Sequence, residues 1–262
     1  MRVRNRFAYV LAGLTILVLG CASPGAPGQS SSGSSGQPQP SSPKRLVAAV
    51  ASTPYALNAS LGAYLGSAPG MEAIGALVNS GFVIVDNEGN LQPLLAEEVP
   101  TVENGGWKLL PNGKMDIKWV IRDGAKWHDG TPVTSEDIAF TYQLAIDRDL
   151  AIFVQSQYRI IESLETPDSR TIIAHWARPF LYANLAFGYG NDNSNLPLPR
   201  HLLETAYKAG DSEAFLNLPY WTSAFVGTGP FRLKQWEEGT GVTVTANDAF
   251  VRGRPKIDEI EV

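Results

Sequence analysis

Cysteine is almost absent from this sequence. Its 262 residues contain one, Cys21, which excludes an internal disulfide framework and any cysteine-rich metal site. Histidine is scarce as well. His128, His175 and His201 stand far apart, whereas zinc ligands usually come as close pairs. No Gly-x-Ser-x-Gly occurs, so that nucleophile elbow is excluded. Gly227-Thr228-Gly229 opens like a dinucleotide fingerprint, but Pro230 and Phe231 follow and Arg232 stands where the third glycine belongs. Charge is thin at 18%, and acids outnumber bases to give a formal −5. No basic block is present, which argues against a nucleic-acid binder, since phosphate contacts need Lys and Arg. No residue set for catalysis emerges, no cofactor is implied, and the reading is of a protein that is not an enzyme.

What is present begins with an address. Arg2, Arg4 and Arg6 precede the apolar run Phe7 to Leu19. About thirteen residues suit the core of an export signal and are short for a bilayer span, which needs about twenty. Val18-Leu19-Gly20-Cys21 resembles a bacterial lipobox. That resemblance implies a lipoprotein signal peptide over 1–20, cleavage before Cys21, and lipid on the Cys21 sulfur and freed amine. Several acyl chains hold a protein on a membrane where one is marginal. Cleavage removes three arginines and takes the formal charge from −5 to −8. Residues 21–43 then read as a lipid-anchored flexible linker of Ser, Gly, Pro and Gln, too polar to build a core. The folded body is expected over 44–262.

In that body Leu46–Ala51 reads as a strand, Met71–Asn79 as helical turns and Phe82–Val85 as a strand. Leu94–Val99 predicts a short helix closed by Pro100. Pro111-Asn112-Gly113 is a turn signal, and Met115 to Arg122 alternates with Met115, Ile117, Trp119 and Ile121 inward. Asp123-Gly124 and Asp129-Gly130 predict tight turns around Trp127 and His128, because glycine tolerates positive φ. Thr134 and Asp137 sit at capping-box spacing before a helix with Ile138, Tyr142, Ala145 and Ile146 as its inner face. Strands are read at 159–164 and 171–176, and a helix from Pro199 to Ala209 that ends at Gly210. Phe231–Trp236, then Val242, Val244 and Ala246, then Ile257–Val262 read as three further strands. His128 is taken as a turn residue, His175 as one on a strand face and His201 as one in a helix's first turn. The six tryptophans are read as core more than as a stacking platform.

The run Val120-Ile121-Arg122-Asp123-Gly124-Ala125-Lys126-Trp127-His128-Asp129-Gly130-Thr131-Pro132-Val133-Thr134-Ser135-Glu136-Asp137-Ile138-Ala139-Phe140-Thr141-Tyr142 closely resembles the hallmark of the family 5 extracellular solute-binding proteins. Leu91 to Glu97, Leu198-Pro199-Arg200-His201-Leu202-Leu203, Gly227-Thr228-Gly229-Pro230-Phe231-Arg232-Leu233 and Gly253 to Ile260 resemble further segments of the same family.

The resemblance implies an α/β fold of the type II periplasmic-binding-protein kind. The chain would hold the first lobe with an inserted subdomain at about 76–160, the second lobe being largely missing. It implies the substrate-binding component of a bacterial ABC importer, which captures peptides or similar small solutes and delivers them to permease subunits. Such a component is a monomer, lipid-anchored and extracytoplasmic. Thr53, Pro54 and Asn58, after the first strand, are expected to face the ligand. Gly227, Thr228 and Gly229 are expected near the interlobe crossing, with Trp221 and Phe250 as an apolar wall. Three rivals stay open: a lipid-anchored sensor or adhesion module on the same fold, a truncated remnant, and a secreted hydrolase.

Overall fold

The computed structural model describes residues 42–51, 54–58, 60–62, 71–189 and 196–262. Cys21, Thr53, the signal segment and nearly all of the linker lie outside the described residues. The described elements, in order, are β1 (Arg45–Val47), α1 (Met71–Val78), β2 (Val83–Val85), β3 (Leu91–Pro93), β4 (Trp107–Leu109), β5 (Met115–Val120), α2 (Ser135–Ile146), β6 (Ile161–Glu165), β7 (Thr171–Trp176), α3 (Arg200–Lys208), α4 (Ser212–Leu216), β8 (Phe231–Glu237), β9 (Gly241–Ala246) and β10 (Glu259–Glu261).

Two four-stranded sheets organise them. The first runs β1-β10-β9-β8, with β1 parallel to β10 and the other pairs antiparallel. The second, β4-β5-β7-β6, is antiparallel throughout. Alternation decides which side chains go inward. In β9, Val242, Val244 and Ala246 are buried while Gly241, Thr243 and Thr245 are half-buried. In β5, Met115, Ile117 and Trp119 are buried, and Ile172, Ala174 and Trp176 meet them from β7. Strands β6 and β7, which follow residue 160, complete this sheet.

Each sheet has its own core. Ile74, Val78, Leu203, Phe215, Trp221, Phe231, Val242, Val244 and Ile260 pack on the first. Phe82, Met115, Trp119, Ile138, Tyr158, Ile172, Trp176 and Phe187 form the second. Helix α2 serves both. Phe140 and Leu144 enter the first core, Ile138 and Ala145 the second. The sequence suggests one inner face; the helix has two, Tyr142 is only half-buried, and Ile146 faces solvent.

The N-terminus of α2 follows the capping logic. The Asp137 carboxylate accepts the Thr134 N–H at 2.8 Å, the Trp127 Nε1–H at 3.2 Å and the Arg200 N–H at 2.9 Å. Buried as it is, that carboxylate is satisfied from three segments of chain. The two Asp-Gly turns form with Gly124 at φ 73° and Gly130 at φ 92°.

Leu94–Val99 is not helical. Its N–H groups are used elsewhere: Leu94 donates to Phe82 O at 2.8 Å and Glu97 to Val120 O at 2.9 Å. The Arg122 guanidinium donates to the carbonyls of Leu94 and Ala96, both at 3.1 Å. Tertiary pairing overrides the local apolar pattern here.

Candidate functional site

Strand register fixes two ends of the first sheet. Phe231 pairs with Ala246, and Glu237 with Gly241. Val47 pairs with Glu261, so the carboxyl ends of the parallel strands β1 and β10 share the end that holds the β8–β9 turn. Strand β8 separates the two ends by about 20 Å.

Gly227-Thr228-Gly229 stands at the other end, just before Phe231. It is closed. A Cβ on Gly227 would meet Val78 O at 2.0 Å, and one on Gly229 would meet Val78 C at 2.4 Å. These glycines therefore permit backbone contact with the end of α1. The Thr228 hydroxyl lies 2.8 Å from Asn79 Oδ1 and 2.9 Å from Ser80 O, and it accepts the Ser80 N–H at 3.0 Å.

His128 ties this loop to the Asp-Gly turns. Its backbone N–H donates to Gly227 O at 2.9 Å. Nδ1 accepts the Gly227 N–H at 3.2 Å, and Nε2 lies 3.1 Å from Gly229 O. Only the neutral imidazole with its proton on Nε2 satisfies both contacts. Burial pushes the His128 pKa down to about 4, against the raising effect of the Gly229 carbonyl. The turn assignment made from sequence is sound for the backbone, and the side chain adds a structural clamp that spacing does not reveal. Phe250 is half-buried at this same end, its N–H donating to Asn247 O at 3.2 Å, while Asn247 Nδ2 donates to Gly229 O at 3.0 Å. These polar groups are spent on one another. Gly227, Thr228 and Gly229 thus stand at the end of the sheet away from Val262.

The carboxyl end is open. Pro54, Tyr55, Thr222, Ser223, Trp236, Glu238 and Gly239 surround a cavity of about 550 Å³. Pro54 is buried, whereas the Tyr55 ring is 59% exposed. The Leu57 N–H donates to Trp221 O at 2.9 Å and fixes the segment after β1 against the turn Pro219–Trp221. Asn58 is buried with its side chain already used: Oδ1 accepts the Leu61 N–H at 3.0 Å. Trp221 is core and not wall. It is 1% exposed, its Nε1 donates to Phe215 O at 2.7 Å, and its ring packs 5.4 Å from Phe153 and 4.8 Å from Tyr220. Its neighbours Thr222 and Ser223 do the lining. Of the described residues singled out from sequence, only Pro54 borders this cavity. Tyr55, Trp236 and Glu238 carry no motif. Their one signal is position, since ligands of open α/β sheets bind outside the carboxyl ends of the strands.

A second cavity, of about 500 Å³, lies at the Trp176 end of the other sheet, between Tyr158, Trp176, Phe180 and Tyr182. Among the described residues no group of three or more His, Cys, Asp or Glu is placed to hold a metal ion. No described helix is long and apolar enough to cross a membrane.

Residues 90–262 match the family described as bacterial extracellular solute-binding proteins, family 5 middle. The chain belongs to that family. Among family 5 relatives, the oligopeptide-binding protein AppA of Bacillus subtilis is 27% identical over 175 residues, which cover 67% of this chain and 29% of AppA. A probable D,D-dipeptide-binding periplasmic protein of Escherichia coli, DdpA, is 28% identical over 158 residues, 60% of this chain and 28% of its own length. The solved structure of AppA with a nonapeptide matches with a TM-score of 0.65 at 26% identity and covers 84% of this chain and 40% of that one. An oligopeptide-binding protein of Thermus thermophilus, solved with a pentapeptide, shares the fold with a TM-score of 0.70 at 22% identity and covers 83% and 40%. The α/β fold is therefore that of the family 5 periplasmic binding proteins. The chain spans under a third of the length of the sequence relatives and two fifths of the solved chains.

Proposed function

We propose that this chain provides the first-lobe half of a solute-capturing site and works as the binding component of an ABC importer. The carrying observation is the open cavity at the carboxyl end of β1 and β10, in a chain of a family whose relatives bear the names of peptide-binding proteins. Pro54 and Tyr55 offer one wall, Trp236 and Glu238 the other, and the hydroxyls of Thr222 and Ser223 stand ready to meet polar groups of a solute. A second lobe closing over this face would bury the solute, and the closed pair would be the form a membrane permease recognises. No bond in the solute is made or broken. In this reading 1–20 is the lipoprotein signal, Cys21 bears the lipid, 21–43 is the tether, and 44–262 is the lobe with its inserted subdomain.

The test is saturation-transfer NMR or calorimetry of the chain with a panel of two- to five-residue peptides. Weak, saturable binding is expected, with Tyr55 and Trp236 among the perturbed groups. Absence of binding across the panel, or turnover of a peptide, would overturn the proposal. The anchor has its own test. Cys21→Ala expressed in a bacterial host should lose acyl mass and leave the membrane fraction, and unchanged partitioning would refute lipidation.

A further inference from the structure

The walls of the open cavity differ in charge from their surroundings, and that difference names a ligand chemistry. Of three other acids at this part of the sheet, Glu261 does not border the cavity and two are engaged. Glu237 accepts from Gln235 Nε2 at 2.6 Å and from the Thr240 hydroxyl at 3.0 Å. Glu259 is paired with Arg45 at 3.2 Å and with Lys234. Glu238, exposed on the turn between β8 and β9, has neither a hydrogen bond nor an ion pair among the described residues. Among the described residues no Lys or Arg borders the cavity it shares with two aromatic rings, Tyr55 and Trp236.

We infer that this cavity selects the cationic part of its solute, an ammonium or a guanidinium. The inference rests on the solute-capturing role proposed above and specifies its chemistry. The faces of Trp and Tyr attract a cation through the ring quadrupole. A carboxylate beside them supplies a charge-assisted acceptor. The Thr222 and Ser223 hydroxyls have lone pairs for the remaining N–H groups. The same lining disfavours an anion, because Glu238 repels it and no cationic side chain compensates. A wholly apolar solute would leave the carboxylate to be desolvated without a partner. A basic side chain meets each of these demands at once.

Three blocked tripeptides separate this inference from the role on which it rests: acetyl-Ala-Lys-Ala-amide, its norleucine isostere and its glutamate counterpart. Each is titrated into the chain. The lysine peptide is expected to bind roughly tenfold tighter than the norleucine one, the glutamate one weakest, with the preference shrinking as salt rises. Glu238→Gln is expected to remove most of the preference, chiefly by weakening the lysine peptide. That position is exposed and unpaired, so the variant should melt like the parent. Equal binding of the lysine and norleucine peptides would overturn the inference and leave the capture role standing. A preference for the glutamate peptide would do the same. Failure of all three, with failure of the unblocked panel, would remove both.

Discussion

One end of the first sheet is sealed and the other is open, and both are built from loops that meet the ends of the same strands. At the sealed end, Gly227 and Gly229 lie against the α1 backbone, the Thr228 hydroxyl is shared with Asn79 and Ser80, and a neutral His128 clamps the loop. At the open end, Tyr55 is largely exposed and Glu238 is unpaired, around a cavity of about 550 Å³. The sealed end contains the segments most specific to the family. The open end contains none of them. Strong sequence motifs in this chain thus mark where backbone must approach backbone, and the residues free to meet a solute carry no motif.

Trp221 tests the boundary between the two ends, since it lies under the open cavity but belongs to the core. Trp221→Ala should destabilise the fold by about 3–5 kcal/mol, because a fully buried aromatic leaves both a cavity and lost transfer energy. Urea unfolding measures it. A loss below about 1 kcal/mol, with weakened solute binding instead, would return Trp221 to the wall. The next effect belongs to the sealed loop. Gly227→Ala sets a methyl 2.0 Å from Val78 O, and backbone on both sides has little room to yield. A cost of about 3 kcal/mol is expected, readable as a fall in melting temperature. An unchanged melt would show that α1 and the loop are less tightly joined than their geometry states.

Much of the sealed end is legible in sequence because its signals are local. Asp-Gly turns need only glycine's positive φ, Thr134 and Asp137 need only their spacing, and β5, β7 and β9 need only alternation. The failures share a different cause. Leu94–Val99 has helical spacing, but its N–H groups pair with segments near Phe82 and Val120, which a window of sequence does not contain. Gly-Thr-Gly reads equally as room for a ligand or room for another backbone, and Val78 is the neighbour that decides. Trp221 and Tyr55 are both aromatics near turns. Only the fold sends one into the core and the other toward solvent.

Acid should break the sealed end first. With a pKa of about 4 in the folded chain and an ordinary value of 6.5, His128 takes up its proton more readily when unfolded. The stability it contributes is complete above pH 6.5, falls as pH drops toward 4, and changes no further below that, where both states are protonated. Half-burial trims the effect to about 2–3 kcal/mol. Protonation would also turn Nδ1 from acceptor to donor and set it against the Gly227 N–H. Unfolding curves between pH 7 and 4, for the parent and for His128→Gln, isolate this contribution from that of the carboxylates. Parallel pH profiles would show that the imidazole does not titrate as its surroundings dictate.

The smallest expected change in stability is at the open end, and it sharpens the comparison most. Tyr55 is 59% exposed, and no described hydrogen bond or ring contact engages its side chain. Tyr55→Ala should therefore alter unfolding free energy by no more than about 0.5 kcal/mol. The same substitution removes one of the two aromatic faces of the cavity. Affinity for the lysine peptide should fall by about threefold to tenfold, while the norleucine peptide loses less. Thermal melting and peptide titration on one preparation read both quantities. A large stability loss would mean that the open end is packed as the sealed end is, and the distinction between them would no longer hold.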